Sequence, residues 1–241
     1  MLDALGMLAN SEYTNAGELL GLDNYDDELM GYLASLDAVN RQKVMQKINK
    51  KQIPSKGSRA EMEKFFGELP KHIKEGLLNG KLKLADGLIY TIKPVGGAKT
   101  IKLFESQDVK EVGLRNISNA RLPKNTALLV SGIILLQGVA SSLSADGQKS
   151  TVFDTIDSLG ALASGEFKLK ANKKQIVESL SNYVFRTDGF SSVTKGYYKL
   201  ANPRLIHDDV EIEWEIELGT VNGIQANTVL YGALHGTLTI P

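Results

Sequence analysis

Carboxylates occupy every second position of one stretch, Asp209, Glu211, Glu213, Glu215 and Glu217, and the large apolar residues Val210, Ile212, Trp214, Ile216 and Leu218 alternate with them. In a strand this row spaces its carboxylates by roughly 6.8 Å, twice the rise per residue. That lies between the separations used by retaining and inverting glycosidases. General acid–base work, however, needs two carboxylates in unlike environments, and an even row on one wet face offers none. A solvated face balanced by cross-strand bases such as Lys168 and Lys170 is the stronger reading, and a divalent-cation site the lesser one. The histidines His72, His207 and His235 lack the mutual spacing of paired metal ligands, although alternation puts His235 on one strand face with Tyr231 and Ala233. Gly96-Gly97-Ala98-Lys99-Thr100 ends like a phosphate-binding loop but lacks the first glycine. Strands expected on both sides leave no helix N-terminus for a phosphate, so a hairpin turn is predicted. Gly-x-Ser-x-Gly, His-Glu-x-x-His and dinucleotide glycine fingerprints do not occur. The expectation is a chain without catalytic, metal or cofactor residues, hence not an enzyme.

A second charged feature concerns contact instead of catalysis. Residues 1–40 hold eight acids and no Lys or Arg, whereas residues 41–60 hold seven bases, Arg41, Lys43, Lys47, Lys50, Lys51, Lys56 and Arg59, and no acid. Such blocks can pair with each other, with a neighbouring subunit or, for the basic one, with nucleic-acid phosphates. The basic block contains no aromatic residue, so base stacking is not indicated.

The elements that must position these residues fall into two vocabularies. With 42% hydrophobic and 23% charged residues, zero net charge and no cysteine, the 241-residue chain can build an ordinary core without disulfides. The start of the chain has neither a basic n-region nor an unbroken apolar run, which argues against a signal peptide. The longest apolar stretch, 127–140, is too short for a membrane span and is broken by Ser131, Gly132, Gln137 and Gly138. Residues 1–80 read as short helices: one from Asp37 to about Lys50, one after the capping-box pattern Ser58 to Glu61, and one from Pro70 through Leu78 closed by Asn79-Gly80. From 81 onward, strands are expected at about 87–94, 98–104, 126–139 with a bend at Gly132, 165–171, 174–179 around Asn172-Lys173, 196–206, 209–218 and 227–240. The connections 105–125 and 141–164 are long, and the second carries a predicted helix from Val152 to Leu162. Eight strands without an internal repeat point to a mainly β, eight-stranded antiparallel jelly-roll sandwich at 81–241 with an N-terminal helical extension at 1–80.

Three stretches, Asn125 to Val139, Gly196 to Ile206 and Val229 to Pro241, carry a resemblance to the single jelly-roll coat (capsid) proteins of icosahedral viruses, particularly tailless bacterial viruses. It covers about residues 82–241 and rests on strand order and spacing. The resemblance implies a structural virion protein, assembled in the host cytoplasm, whose partners are copies of itself and other virion proteins, with the first eighty residues as an arm. The alternative is a jelly-roll module that recognises a glycan or protein through 105–125 or 141–164.

Overall fold

The computed structural model describes residues 62, 64–187 and 194–241. Among them run eight strands: β1 (Lys83–Pro94), β2 (Thr100–Lys102), β3 (Ala127–Val139), β4 (Glu166–Ala171), β5 (Lys174–Ser181), β6 (Tyr197–His207), β7 (Ile212–Glu217) and β8 (Thr228–Ile240). They form two four-stranded sheets, β1-β8-β3-β6 and β2-β7-β4-β5. In these orders β1 lies beside β8, β2 beside β7, β3 beside β6 and β4 beside β5. That is one long antiparallel hairpin, rolled up until β8 also meets β3 and β7 also meets β4. The expected mainly β, eight-stranded antiparallel jelly roll is what the chain folds into.

Alternation decides what each strand buries. On β7 and β4 the apolar set Ile212, Trp214, Ile216, Phe167 and Leu169 is fully buried, while the acids and lysines between them reach water. Phe104 and Phe167 tilt against the Trp214 ring at 6.2 and 6.4 Å, and Phe185 packs on Phe167 at 4.9 Å. The first sheet meets this core with Leu128, Val130, Ile133 and Leu135 of β3 and Leu230 and Leu234 of β8. Ser131 is an extra residue on β3, between the pairs Val130↔Gly236 and Gly132↔His235. This bulge bends the strand where a bend was expected. It also brings β3 so close to β8 that a Cβ on Gly236 would sit 1.8 Å from the Leu129 carbonyl oxygen.

Three local expectations need correction. The 98–104 strand shrinks to β2, and β1 and β2 lie in different sheets. The Gly96-Gly97 turn is therefore not a hairpin but a corner that carries the chain across the sandwich, with both glycines at positive φ. The helix expected over Val152 to Leu162 is absent: a short helix α2 (Ala145–Lys149) precedes it, and a 3₁₀ turn (Ile156–Ser158) and a one-turn helix α3 (Gly160–Ala163) occupy its second half. The competing force is β pairing, since Asp154 exchanges both backbone hydrogen bonds with Gln137 of β3 at 2.8 and 2.9 Å. Finally, Asp209 has φ 62° and belongs to the turn before β7, so the acidic row starts at Glu211.

The chain divides into two compact units, the second being Ala85–Ile240. In the described part of the first, a 3₁₀ turn (Phe66–Glu68) precedes helix α1 (Lys71–Leu78), which Pro70 opens and Asn79 ends. This helix buries Ile73 and Leu77 one turn apart. Leu82 folds back on Gly76, donating its N–H to the Gly76 carbonyl at 2.9 Å.

Candidate interaction surface

Most of the acidic row is neutralised in place. Lys168 stands opposite Glu215 and Lys170 opposite Glu213 in the β4–β7 register, as expected from sequence, and Lys102 of β2 approaches Glu215 to 3.7 Å from the other side. Arg121 lies 4.0 Å from Glu211. Glu211, Glu213 and Glu215 thus share one solvated, base-flanked environment, unlike the two contrasting environments that acid–base catalysis requires, while Glu217 at the end of the row stands opposite Glu166 and Thr100. Among the described residues no three His, Cys, Asp or Glu side chains converge as a metal site. His207 is held by the Asp208 carbonyl at 2.8 Å, and His235 sits edge-on to Tyr197 at 5.9 Å on the face it shares with Tyr231 and Ala233. The basic residues Arg41, Lys43, Lys47, Lys50, Lys51, Lys56 and Arg59 lie outside the described residues. Among those described, no helix is long and apolar enough to cross a membrane.

The built surface lies in the two long connections. The 103–126 segment does not wander but returns along the outer edge of β1. Ile92 donates to the Leu114 carbonyl at 2.8 Å, and the Asn116 side chain accepts from the Tyr90 N–H at 2.9 Å while donating to Leu88 at 2.6 Å. Asn116 thereby satisfies the backbone of an edge strand that would otherwise be open. An ionic cluster fixes the segment from beneath. The carboxylate of Asp108, with 7% of its side chain exposed, accepts from Lys93 and Arg115 at 2.7 Å each and from the Glu105 N–H at 3.1 Å, and Lys93 also binds Glu105. Buried charges persist only when paired this fully.

Above the cluster, Glu111 and Arg115 exchange two backbone hydrogen bonds of 2.9 and 3.0 Å around the tip Val112-Gly113-Leu114. Gly113 takes φ 89°, which tightens the turn. Glu111 binds Lys149 of α2 at 2.7 Å, and this hydrogen bond raises the Lys149 pKa above 10.5. Beneath both connections lies a second small core in which Ile92, Leu114, Ala140 and Val229 pack with Ala145, Phe153 and Tyr231. Tyr90 and Phe153 flank the Tyr231 ring at 5.9 and 5.6 Å, and burial, with the neighbouring Tyr90, raises the Tyr231 pKa above 10.

The 140–165 connection is tied down along its length. Ser144 caps α2 through the Gly147 N–H, and Gln148 holds the Leu143 carbonyl at 2.7 Å. Lys195 binds Asp154 at 2.9 Å and, together with the Thr155 N–H, holds the Asp154 carboxyl below its usual pKa. Arg186 binds Asp157 at 2.6 Å, and Asn182 closes the end of the segment onto Leu162 at 2.8 Å. On this stiff base Val109, Val112 and Val152 stand 69%, 82% and 87% exposed.

Sequence reading located both connections but none of these roles. Asp108 and Arg115 are charged residues in a polar stretch, and only the return of the segment to β1 brings them to Lys93.

No protein-family model matches the chain. No curated protein matches it significantly either.

Proposed function

We propose that this chain is a structural, coat-type protein that associates with copies of itself and performs no catalysis. The observation that carries the reading is the strand order, a rolled eight-stranded hairpin, which is the architecture of the coat proteins the sequence resembles. The state of the sheet edges supports association through faces and loops instead of strand addition. β1 is covered by 114–116, β2 has three residues, β5 is irregular in register, and β6 carries Pro203 within a break in its pairing. In this reading the location is a virion assembled in the host cytoplasm, and the partners are copies of the chain and other virion proteins. The basic block from Arg41 to Arg59 then contacts either the acidic block of a neighbour or the genome.

Mass in solution combined with electron microscopy tests this. Discrete large assemblies are expected. A stable monomer or trimer that retains a glycan would instead favour the second reading, a recognition module, for which the stiffness of 105–125 and 141–164 is the supporting observation. Charge reversal at Lys47, Lys50 and Lys51 separates the two roles of the basic block. Reversing acids within 1–40 as well should restore assembly partly if subunits meet there, and should restore nothing if the bases hold nucleic acid.

A further inference from the structure

We propose that the surface formed by the excursion 108–119 and the segment 139–152 is the face on which a second copy of this chain docks. The inference rests on the self-association reading and names its contact surface.

Among the described residues nine large hydrophobic side chains are exposed, and five of them, Val109, Val112, Val139, Leu143 and Val152, fall in these two short segments. Scattered exposed hydrophobics need no explanation, but a concentration of them marks an interaction site. The two segments form one surface. Glu111 and Lys149 join them at 2.7 Å, a Cβ on Gly113 would lie 3.2 Å from Lys149, and Thr151 and Val152 press against Gly138 at the end of β3. Leu114 from one segment and Ala140 and Ala145 from the other share the same small core.

Rigidity is the second observation. Val112 sits at the tip of a hydrogen-bonded hairpin anchored by the Asp108 cluster, and Val152 follows a capped helix and precedes the paired residue Asp154. A surface already ordered before contact loses little conformational freedom on binding, so its apolar area converts efficiently into affinity.

Charge narrows the choice of occupant. Glu105, Asp108, Glu111 and Asp154 are each bound by a base of the same chain, Lys93, Arg115, Lys149 and Lys195. Lys110 and Asp146, one of each sign, flank the valines. A nucleic acid or an acidic membrane would require surplus Lys and Arg, which this surface lacks. A copy presenting the same balanced surface meets no net like charge.

The test uses the full-length chain. Sedimentation velocity across a concentration series measures association of the parent, of the double variant Val112→Asp with Val152→Asp, and of Lys173→Asp at the β4–β5 turn, which changes the charge equally. Trp214 emission and the thermal midpoint report folding of each. The double variant should associate about tenfold more weakly or worse, because it buries unpaired charge at the contact, while Lys173→Asp should stay within about twofold of the parent. Because the chain has no cysteine, Val112→Cys alone should cross-link copies with a short bis-maleimide, and Lys173→Cys should not. A folded double variant that associates like the parent overturns this face and leaves self-association standing; any foreign partner at the valines would give that result. A parent that stays monomeric throughout sinks the self-association reading, and this face with it.

Discussion

The sheet β2-β7-β4-β5 and the sheet β1-β8-β3-β6 share one inner core yet treat their outer faces in opposite ways. Outside the first, Lys102, Lys168, Lys170, Glu213 and Glu215 reach water and offset one another across the strands. Outside the second, much of the outward face of β3 and β8 is apolar and buried: Ala127 and Val229 are fully buried, as is Ala233, and Leu129 is 1% exposed, with Tyr231 and His235 half-buried among them. The inner sets of the two sheets look alike. What differs is how many faces of a strand must avoid water, and so how much of its sequence is constrained. Most residues of β3 and β8 carry a packing demand, whereas half of β7 and β4 needs only to be soluble.

The comparison breaks most visibly at Gly236. Replacing it with Ala drives a Cβ into the Leu129 carbonyl, so β3 and β8 must separate at the bulge. A loss on the order of 4 kcal/mol is expected, which places it among the rare severe substitutions. Urea unfolding followed by the emission of Trp214 measures it, and a loss below a quarter of that value would show that the two strands part easily. The outer faces can be set directly against each other next. Leu129→Ala should cost about 2 to 5 kcal/mol by removing a buried side chain, and Glu215→Ala within about 0.5 kcal/mol. Equal costs would erase the distinction between the sheets.

A smaller effect lies at the edge of the charged sheet, where Asn172 and Lys173 both hold positive φ, 50° and 62°, in the two-residue turn between β4 and β5. Such turns favour Asn-Gly. Lys173→Gly should raise stability by about 0.5 kcal/mol, since a non-glycine residue is strained there, and a lowered midpoint would mean that the lysine contributes something the turn geometry does not.

The smallest effect is acid sensitivity in the segment that leaves β3. The Asp154 carboxyl is depressed by its hydrogen bond from Lys195 and by the Thr155 N–H. Its contribution is therefore complete above the ordinary value of 3.8 and disappears as pH falls through the lower folded value. The Lys149 pair has the opposite sign: present below 10.5, lost as pH rises through its elevated value. Both are exposed, so salt should weaken them. Asp154→Asn should flatten the acid limb of a melting profile slightly, and a limb identical in both chains would remove this tie from the account.

How far the sequence revealed the fold follows from the same asymmetry. Period-2 alternation in β4 and β7 announces both the strand and its wet face, and the register of Lys168 and Lys170 with the acids follows from it. β3 reads only as an apolar run, which identifies a strand without saying which side meets the core. The Gly96-Gly97 corner is not distinguishable from a hairpin in the sequence because a turn signal is local, and the same glycines serve a hairpin or a crossing between sheets. Val152, Ile156, Leu159 and Leu162 have helical spacing, but the backbone pairing of Asp154 with Gln137 comes from a strand fifteen residues upstream or more and leaves no mark on the segment itself. The candidate docking face was illegible for a related reason. Val112 and Val152 become neighbours of one surface only after 103–126 has run back along β1.

The rolled order also fixes when the domain can become whole. β8 is the last of the eight strands to leave the ribosome, yet its place is between β1 and β3 in the middle of a sheet. Until it arrives, β3 waits with one side unpaired and most of its residues apolar, and the first strand must wait for the last. Folding is therefore expected to be slow and largely post-translational, because nearly all its pairings are distant in sequence. The nascent chain is vulnerable to mispairing in that interval. A pause or truncation before Thr228 would release a chain whose charged sheet is complete in sequence and whose apolar sheet has a gap at its centre.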